Sequence, residues 1–300
     1  MLDFIITKIP SQRKGLIYIS FTALLWSSSG LFIKLLTLDA FQISFYRSGI
    51  AALTVLTVSL LKTKKLKFET DFSSNLTAVF FAGILIFFVL ATKMTTAANA
   101  IFLQFTAPIY LLILEPLILK IKFEPKNLIT ILITVCGMVL FFFGKLDIGN
   151  IYGNVLAIIS GICFASFTLL LRRKKLLKRS ENTLNSVILG NAMVAVISFF
   201  VIFPRFSLTP SQIIILLYMG IFQIGISYII FNEGIKYVSA TESMIIATLE
   251  AIFNPIWVFL GIGERPSIFA IAGGIIIMAA ILWRNFSKSK GIEDKVMISD

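Results

Sequence analysis

Long apolar runs alternate with short polar connections along almost the whole chain. Each run is about 17–25 residues long, which is the length that an α-helix needs to cross the hydrocarbon of a bilayer. The runs lack the strict apolar–polar alternation of half-buried strands. The pattern therefore predicts an all-α polytopic membrane protein with ten transmembrane helices, over residues 16–36, 40–61, 74–93, 97–119, 127–144, 152–171, 183–203, 211–232, 241–261 and 267–284.

The composition supports a membrane protein over a soluble one. Of the 300 residues 58% are hydrophobic and only 14% are charged, whereas soluble domains average roughly 25% charged residues. The net charge of +12 would suggest nucleic-acid binding in a soluble protein. Here the basic residues lie between the apolar runs. With both termini on one side, 21 of the 27 Lys and Arg residues fall on that side, which predicts cytoplasmic termini and no nucleic-acid partner.

The residue types disfavour enzymatic and metal chemistry. The chain has no histidine, which is the commonest transition-metal ligand and the usual proton relay near neutral pH. Cys136 and Cys163 lie within apolar runs, where a thiol behaves as a small hydrophobic group. The sequence also lacks a P-loop, an H-E-x-x-H motif and a G-x-S-x-G motif. We therefore expect neither a cofactor nor a metal, and an intramembrane enzyme is the weakest alternative.

The two halves of the chain resemble each other weakly. A shift of 143 positions places Lys93-Met-Thr-Thr-Ala97 on Lys236-Tyr-Val-Ser-Ala240, and turn-forming residues between Gly144 and Tyr152 divide the halves. This predicts repeats over 16–144 and 152–285, between cytoplasmic tails at 1–15 and 286–300. Five spans per repeat require the repeats to enter the membrane from opposite sides. That is the inverted-repeat plan of secondary transporters, with the substrate near the midplane between the halves.

One carboxylate lies deep within the ninth predicted span. Glu250 would cost roughly 2.5–3.5 kcal/mol on insertion scales if it faced lipid, so an acid at this depth indicates a functional site. Asn254 lies one turn later on the same face, and Pro255 leaves a carbonyl without its usual donor. Glu250 could bind a cationic group or carry a coupling proton. The alternative is a structural hydrogen bond to a neighbouring helix.

Further polar groups and prolines within the spans complete the candidate site. The predicted substrate-binding residues are Glu250, Asn254, Gln104, Tyr228, Tyr110, Trp26, Ser28, Asn99 and Gln223. The predicted gating or helix-kink residues are Pro108, Pro255 and Glu115. Interhelical hydrogen bonding is the alternative for the amides and hydroxyls, and pairing with Lys120 is the alternative for Glu115. For Arg47 an orienting salt bridge or a lipid-phosphate contact is favoured over substrate contact.

Several short motifs, in their order and spacing, resemble those of a known transporter family. They are Trp26-Ser-Ser-Ser-Gly30, Phe45-Tyr-Arg-Ser-Gly-Ile-Ala51, the two Lys motifs above, Leu249-Glu250, and Gly263-Glu264-Arg265-Pro266. Over about 16–285 the chain resembles the EamA-type transporters of the drug/metabolite transporter superfamily. The resemblance implies a bacterial inner-membrane carrier that often exports amino acids, with a cavity lined mainly by the first, third, fourth, sixth, eighth and ninth spans. The sequence departs from the family at Lys122-Phe-Glu-Pro125, where the family has Gly-Glu-Arg, and at Ala251, where the family has a proline.

These observations favour a secondary transporter that exports small metabolites by alternating access. Because Glu250 is the deepest charge, amino acids or related cationic or zwitterionic compounds are the favoured substrates. A nucleotide-sugar or sugar-phosphate carrier of the same superfamily and a passive channel are the alternatives. Substrate identity, direction of flux, coupling ion and oligomeric state stay open on the sequence alone.

Overall fold

The computed structural model describes residues 11–63, 71–95, 97–122, 125–141, 143, 150–177, 184–262 and 268–286. These ranges contain α-helices and one π-helical stretch but no β-strand. The helices of the first half are α1 (Ser11–Trp26), α2 (Ser29–Leu35), α3 (Ala40–Thr63), α4 (Phe72–Met94), α5 (Ala97–Gln104), α6 (Ala107–Leu119) and α7 (Pro125–Phe141). Those of the second half are α8 (Ile151–Leu176), α9 (Leu184–Ile202), α10 (Pro210–Tyr218), the π-helix (Met219–Ile226), α11 (Ser227–Gly234), α12 (Ala240–Ala247), α13 (Leu249–Ile262) and α14 (Ile268–Phe286).

Most of the predicted spans are helical stretches of membrane-crossing length. Within the described residues, eight stretches are long and apolar enough to cross a bilayer, and α7 and α14 contain shorter apolar helices. The prediction of an all-α polytopic membrane protein is confirmed. The arrangement of ten spans in an inverted repeat stays a prediction, because the apolar helices within α7 and α14 are shorter than a membrane-crossing stretch. The predicted tails, the central divider and the motif at 263–266 lie wholly or largely outside the described residues.

Helices of the two halves pack against each other across the whole molecule. Helix α4 packs against α8 and α9, while the corresponding part of the second half, the π-helix and α11, packs against α3 and α1. Helix α3 packs against its counterpart α9, and α7 packs against its counterpart α14. For these helices the packing of the first half resembles that of the second. The space at the centre is enclosed by both halves.

Three of the predicted spans are broken near their middle, each at a serine or threonine. Ser27 Oγ donates to Leu24 O over 2.6 Å at the α1–α2 break. Thr106 Oγ1 donates to Leu103 O over 2.6 Å at the α5–α6 break, and Thr248 Oγ1 donates to Ile245 O over 2.6 Å at the α12–α13 break. A hydroxyl that bonds the carbonyl three residues earlier competes with the helical ladder. The breaks therefore arise from local chemistry and bring helix ends to the centre of the bundle.

Candidate substrate site

A cavity of about 40 Å³ lies at the centre of the bundle and is lined by residues of both halves. Its polar lining consists of Ser29, Arg47, Gln104, Gln223, Tyr228 and Glu250. Its aromatic lining consists of Trp26, Phe88, Phe164 and Tyr228. The cavity therefore combines an apolar aromatic wall with a few polar groups of both charges.

Glu250 supplies the negative charge of this cavity. It lies in the first turn of α13, directly after the break at Thr248, where the partial positive charge of a helix N-terminus stabilises a carboxylate. Its side chain is only 4% exposed, and Ser29 Oγ donates to its Oε1 over a long 3.4 Å. It forms no salt bridge with any described residue. A carboxylate accepts several hydrogen bonds, so Glu250 retains capacity for a donor inside the cavity.

Arg47 supplies the positive charge and is 2% exposed. One Nη donates to Leu85 O over 3.3 Å, while the buried Nε has no hydrogen-bond partner. Arg47 forms no salt bridge with Glu250 or with any other described residue. A buried guanidinium with most of its five donors unused is costly unless something else satisfies it. The two charges thus face one cavity without neutralising each other.

Two glutamines add amide groups on opposite walls. Gln104, the last residue of α5, donates from Nε2 to Ser160 Oγ over 2.8 Å, and Ser160 Oγ donates to Ile84 O over 3.1 Å. Gln223 donates from Nε2 to Ser28 Oγ over 3.2 Å, while its buried Oε1 has no partner. Each amide is held on one side by a serine. Each amide therefore has a fixed orientation in the cavity lining.

The aromatic wall is rigid because its rings pack on one another and on a hydrogen bond. Trp26 Nε1 donates to Ser227 Oγ over 2.8 Å, which fixes the indole. The Trp26 ring lies 4.8 Å from that of Tyr228 and 5.5 Å from that of Phe164, between centroids. Aromatic faces attract cations at distances up to about 6 Å. A cationic group near Glu250 would therefore meet both a carboxylate and π-faces.

The π-helix brings Gln223 against α3, close to Arg47. Two glycines make this approach feasible. A Cβ at Gly220 would lie 2.5 Å from Ile50 Cβ, and one at Gly225 would lie 2.8 Å from Thr54 Cγ2. No L side chain fits at either contact without displacing α3. Stretches of π-helix occur often at functional sites, and here the stretch spans the residues that close one wall of the cavity.

Comparison with known proteins identifies the family. The model of the EamA-like transporter family matches residues 13–143 and again residues 151–286. The chain belongs to the EamA-like transporter family. Relatives described as uncharacterized transporters include one from Archaeoglobus fulgidus, 27% identical over 90% of this chain and 96% of its own length, and one from Clostridium kluyveri, 26% identical over 94% and 96%. A protein of known crystal structure shares the fold, with a TM-score of 0.78 and 14% identity over 92% of this chain and 99% of its own.

In this EamA-like transporter, five of the predicted substrate-binding residues line the central cavity. They are Glu250, Gln104, Tyr228, Trp26 and Gln223. They come from four membrane-crossing stretches on both halves of the chain, because Gln223 and Tyr228 share one stretch. Substrate contact by these five residues stays a prediction, which their placement in one cavity favours.

The other predicted substrate-binding residues lie outside the cavity lining. Asn254 donates to Ser27 O over 2.8 Å, across the α1–α2 break. Ser28 holds Gln223 and hydrogen-bonds Tyr218, 3.2 Å away. Tyr110 accepts from Thr106, and Asn99 donates to Asn154 Oδ1 over 3.2 Å. The contacts of Asn254, Ser28 and Asn99 match the interhelical alternative, whereas the contact of Tyr110 lies within α6.

The predicted kink and gating residues have different local roles. Pro108 lies in the first turn of α6, so it begins a helix and does not bend a continuous one. Helix α13 continues through Pro255. Glu115 does not pair with Lys120: its carboxylate accepts from the backbone nitrogens of Ala240 (2.7 Å) and Thr241 (2.9 Å) and from the Thr241 hydroxyl. This acid of the first half caps the N-terminus of α12 in the second half.

Arg47 is the functional candidate whose environment the sequence reasoning misplaced. A salt bridge or a lipid contact was expected, whereas the side chain is buried, unpaired and part of the cavity lining. A usable signal was present in the small residues around it. Ser44, Ser48 and Ala51 share its region of α3, and all three are buried. Small residues mark helix faces that pack against other helices, so they indicated protein and not lipid around Arg47.

Proposed function

We propose that the protein is a secondary transporter that exports small cationic or zwitterionic metabolites, such as amino acids, by alternating access. The observation that carries this proposal is the Glu250 carboxylate, buried at the central cavity between the halves and free of any counter-ion among the described residues. Keeping such an acid inside a membrane protein is costly, and a cationic ligand group would offset that cost.

An inverted repeat of two five-span halves would supply the moving parts. Three observations support it. The packing of α4 on α8 and α9 resembles that of the π-helix and α11 on α1 and α3, and the family model matches the chain twice. The breaks at Phe105–Thr106 and at Thr248 are separated by 142–143 positions, close to the shift that relates the two Lys motifs. Two similar bundles that enclose one site can rock against each other and open it to alternate sides.

The end of the bundle that the charge pattern assigns to the cytoplasm is held closed by contacts between helix ends. Glu115 caps α12 there, and Arg172 donates to the carbonyls of Ile235 and Lys236, 2.8 Å from each. In our proposal the Glu115 contact joins the two halves and breaks when the cavity opens to the cytoplasm. Glu115 then acts as a gating residue, as predicted, because it caps a helix of the other half and not because it kinks its own helix.

Within the cavity we assign roles by chemistry. Glu250 binds the cationic group of the substrate, or a coupling proton when the site is empty. Gln104, Gln223 and Tyr228 provide hydrogen bonds that orient the substrate, and Trp26 provides an aromatic face. A sugar-phosphate carrier is the second candidate, and Arg47 is the observation in its favour. Glu250 in the same cavity would repel a phosphate, so we rank this function lower.

Counterflow in proteoliposomes tests the proposal. Purified protein would be assayed with a panel of labelled amino acids, amines and a sugar phosphate, with and without a pH gradient. We expect saturable counterflow of at least one amino-bearing compound, and its loss in Glu250→Gln. Glu233→Gln, which alters a partly exposed acid paired with Lys236, is the matched control and should retain activity. Unchanged flux in Glu250→Gln rejects the role of this residue, and non-saturable flux without counterflow indicates a channel.

A further inference from the structure

Arg47 is unusual among the buried basic residues because its donors are largely unused. Arg172 offers a direct comparison, since it too is buried and donates to two backbone carbonyls at 2.8 Å each. Arg47 makes a single hydrogen bond, to Leu85 O at 3.3 Å, and its buried Nε has no partner. Structural arginines inside helix bundles are normally satisfied as Arg172 is. Arg47 itself lines the cavity, and the protein leaves most of its donors without an acceptor.

The opposite charge of the cavity does not satisfy Arg47. Glu250 lines the same space, yet no salt bridge within 4.0 Å joins the two residues. Two buried, unpaired charges of opposite sign around one small cavity are complementary to a molecule that carries both charges itself. A purely cationic ligand would pair with Glu250 and leave Arg47 unsatisfied.

We infer that Arg47 determines specificity by binding an anionic group of the substrate, a carboxylate or a group of the same planar geometry, while Glu250 binds its cationic group. This inference rests on the proposed function and narrows it: the substrate is a small zwitterion and not an amine or a polyamine. The guanidinium favours a carboxylate because its fork of N–H donors matches the two carboxylate oxygens. Gln223 Oε1, buried and unpartnered, is a further acceptor beside the same site.

Matched sets of compounds separate the two charges of the ligand. Each set contains an L-amino acid, the amino alcohol that lacks its carboxylate, and the 2-oxo acid that lacks its amine. Threonine, leucine and phenylalanine sets cover different side chains. Uptake and competition are measured in proteoliposomes with the wild-type protein, Arg47→Gln, Arg47→Lys and Glu250→Gln. Arg205→Gln is the control, because this arginine is exposed and paired with Asp39 outside the cavity.

We expect the wild type to transport at least one amino acid with a kcat/KM at least tenfold above that of its amino alcohol. Loss of charge-assisted hydrogen bonds should lower the amino-acid value in Arg47→Gln roughly tenfold to a hundredfold. The amino-alcohol value should stay within about threefold, since that compound never used the guanidinium. Arg47→Lys should fall between wild type and Arg47→Gln, because a lysine keeps the charge but not the fork.

Three results would overturn the inference. The first is that the wild type transports an amino acid and its amino alcohol with equal kcat/KM. The second is that Arg47→Gln lowers both values equally, and the third is that Arg47→Gln lowers neither value. If Arg47→Gln does not fold, the wild-type ratio and Arg47→Lys decide the question. A wild type that moves amines or amino alcohols but no amino acid refutes this inference while the proposed function stands. A wild type that moves no compound of the panel refutes both.

Discussion

The cap that Glu115 places on α12 should control opening of one end of the bundle. In Glu115→Gln the side chain keeps its shape but only one oxygen remains to accept hydrogen bonds. At least one of the backbone nitrogens of Ala240 and Thr241 then loses its charged acceptor and faces an amide N–H instead. A hydrogen bond to a charged group contributes about 1.5–3 kcal/mol, and the carboxylate also interacts with the helix dipole. We therefore expect the closed state to be destabilised by about 2–4 kcal/mol.

This change can be measured as the reactivity of a buried position beside the cap. Val238 is 2% exposed and packs near Gly15 of α1, so Val238→Cys in a background with Cys136→Ala and Cys163→Ala reports opening. Because about 1.4 kcal/mol corresponds to a tenfold shift in an equilibrium, Glu115→Gln should raise the alkylation rate at least tenfold. Glu233→Gln removes a partly exposed acid at the same end and should change the rate less than threefold. Equal rates in the two variants would refute our account of the cap.

Two further predictions concern the framework around the cavity. Gly220→Ala should destabilise the protein by about 1–3 kcal/mol in detergent, because its Cβ would meet Ile50 at 2.5 Å, whereas Gly49→Ala, with its nearest contact at 4.0 Å, should not. Equal thermal midpoints for these two variants would contradict the close approach of the π-helix to α3. Asn254→Ala should lower the free energy of unfolding by about 1–2 kcal/mol, since it loses a 2.8 Å hydrogen bond to Ser27 O, and should leave the KM of counterflow within about threefold. A raised KM at unchanged stability would instead make Asn254 a substrate contact.

The hydrophobic pattern was a reliable guide to the membrane helices. A lipid-facing helix must satisfy every backbone group internally, so a long apolar run leaves few alternatives to a helix. For this reason the predicted run 74–93 corresponds to α4 at Phe72–Met94, and 183–203 corresponds to α9 at Leu184–Ile202. The same reasoning identified Glu250 as a buried functional candidate, because an acid at that depth has no inexpensive place in lipid.

The hydrophobic pattern did not predict which side chains line the cavity. Sequence position placed Gln104 and Tyr110 on one helix, but only the packed structure shows that Gln104 lines the cavity while Tyr110 bonds Thr106. For Arg47 the sequence favoured a salt bridge or a lipid contact over the cavity. The depth and the partners of this side chain depend on how α3 packs against the π-helix and α9. The close approach of the π-helix to α3 involves Gly220 and Gly225, which contact residues about 170 positions earlier in the chain.

The sequence by itself thus determined the class of protein, the approximate limits of its helices and the presence of one intramembrane acid. These depend on free energies of transfer between water and lipid, which act on each segment separately. The tertiary structure alone decided which groups share the cavity, that Arg47 and Glu250 face it unpaired, and that Glu115 caps a helix of the other half. Such pairings depend on contacts between distant segments, and no local pattern of residues specifies them.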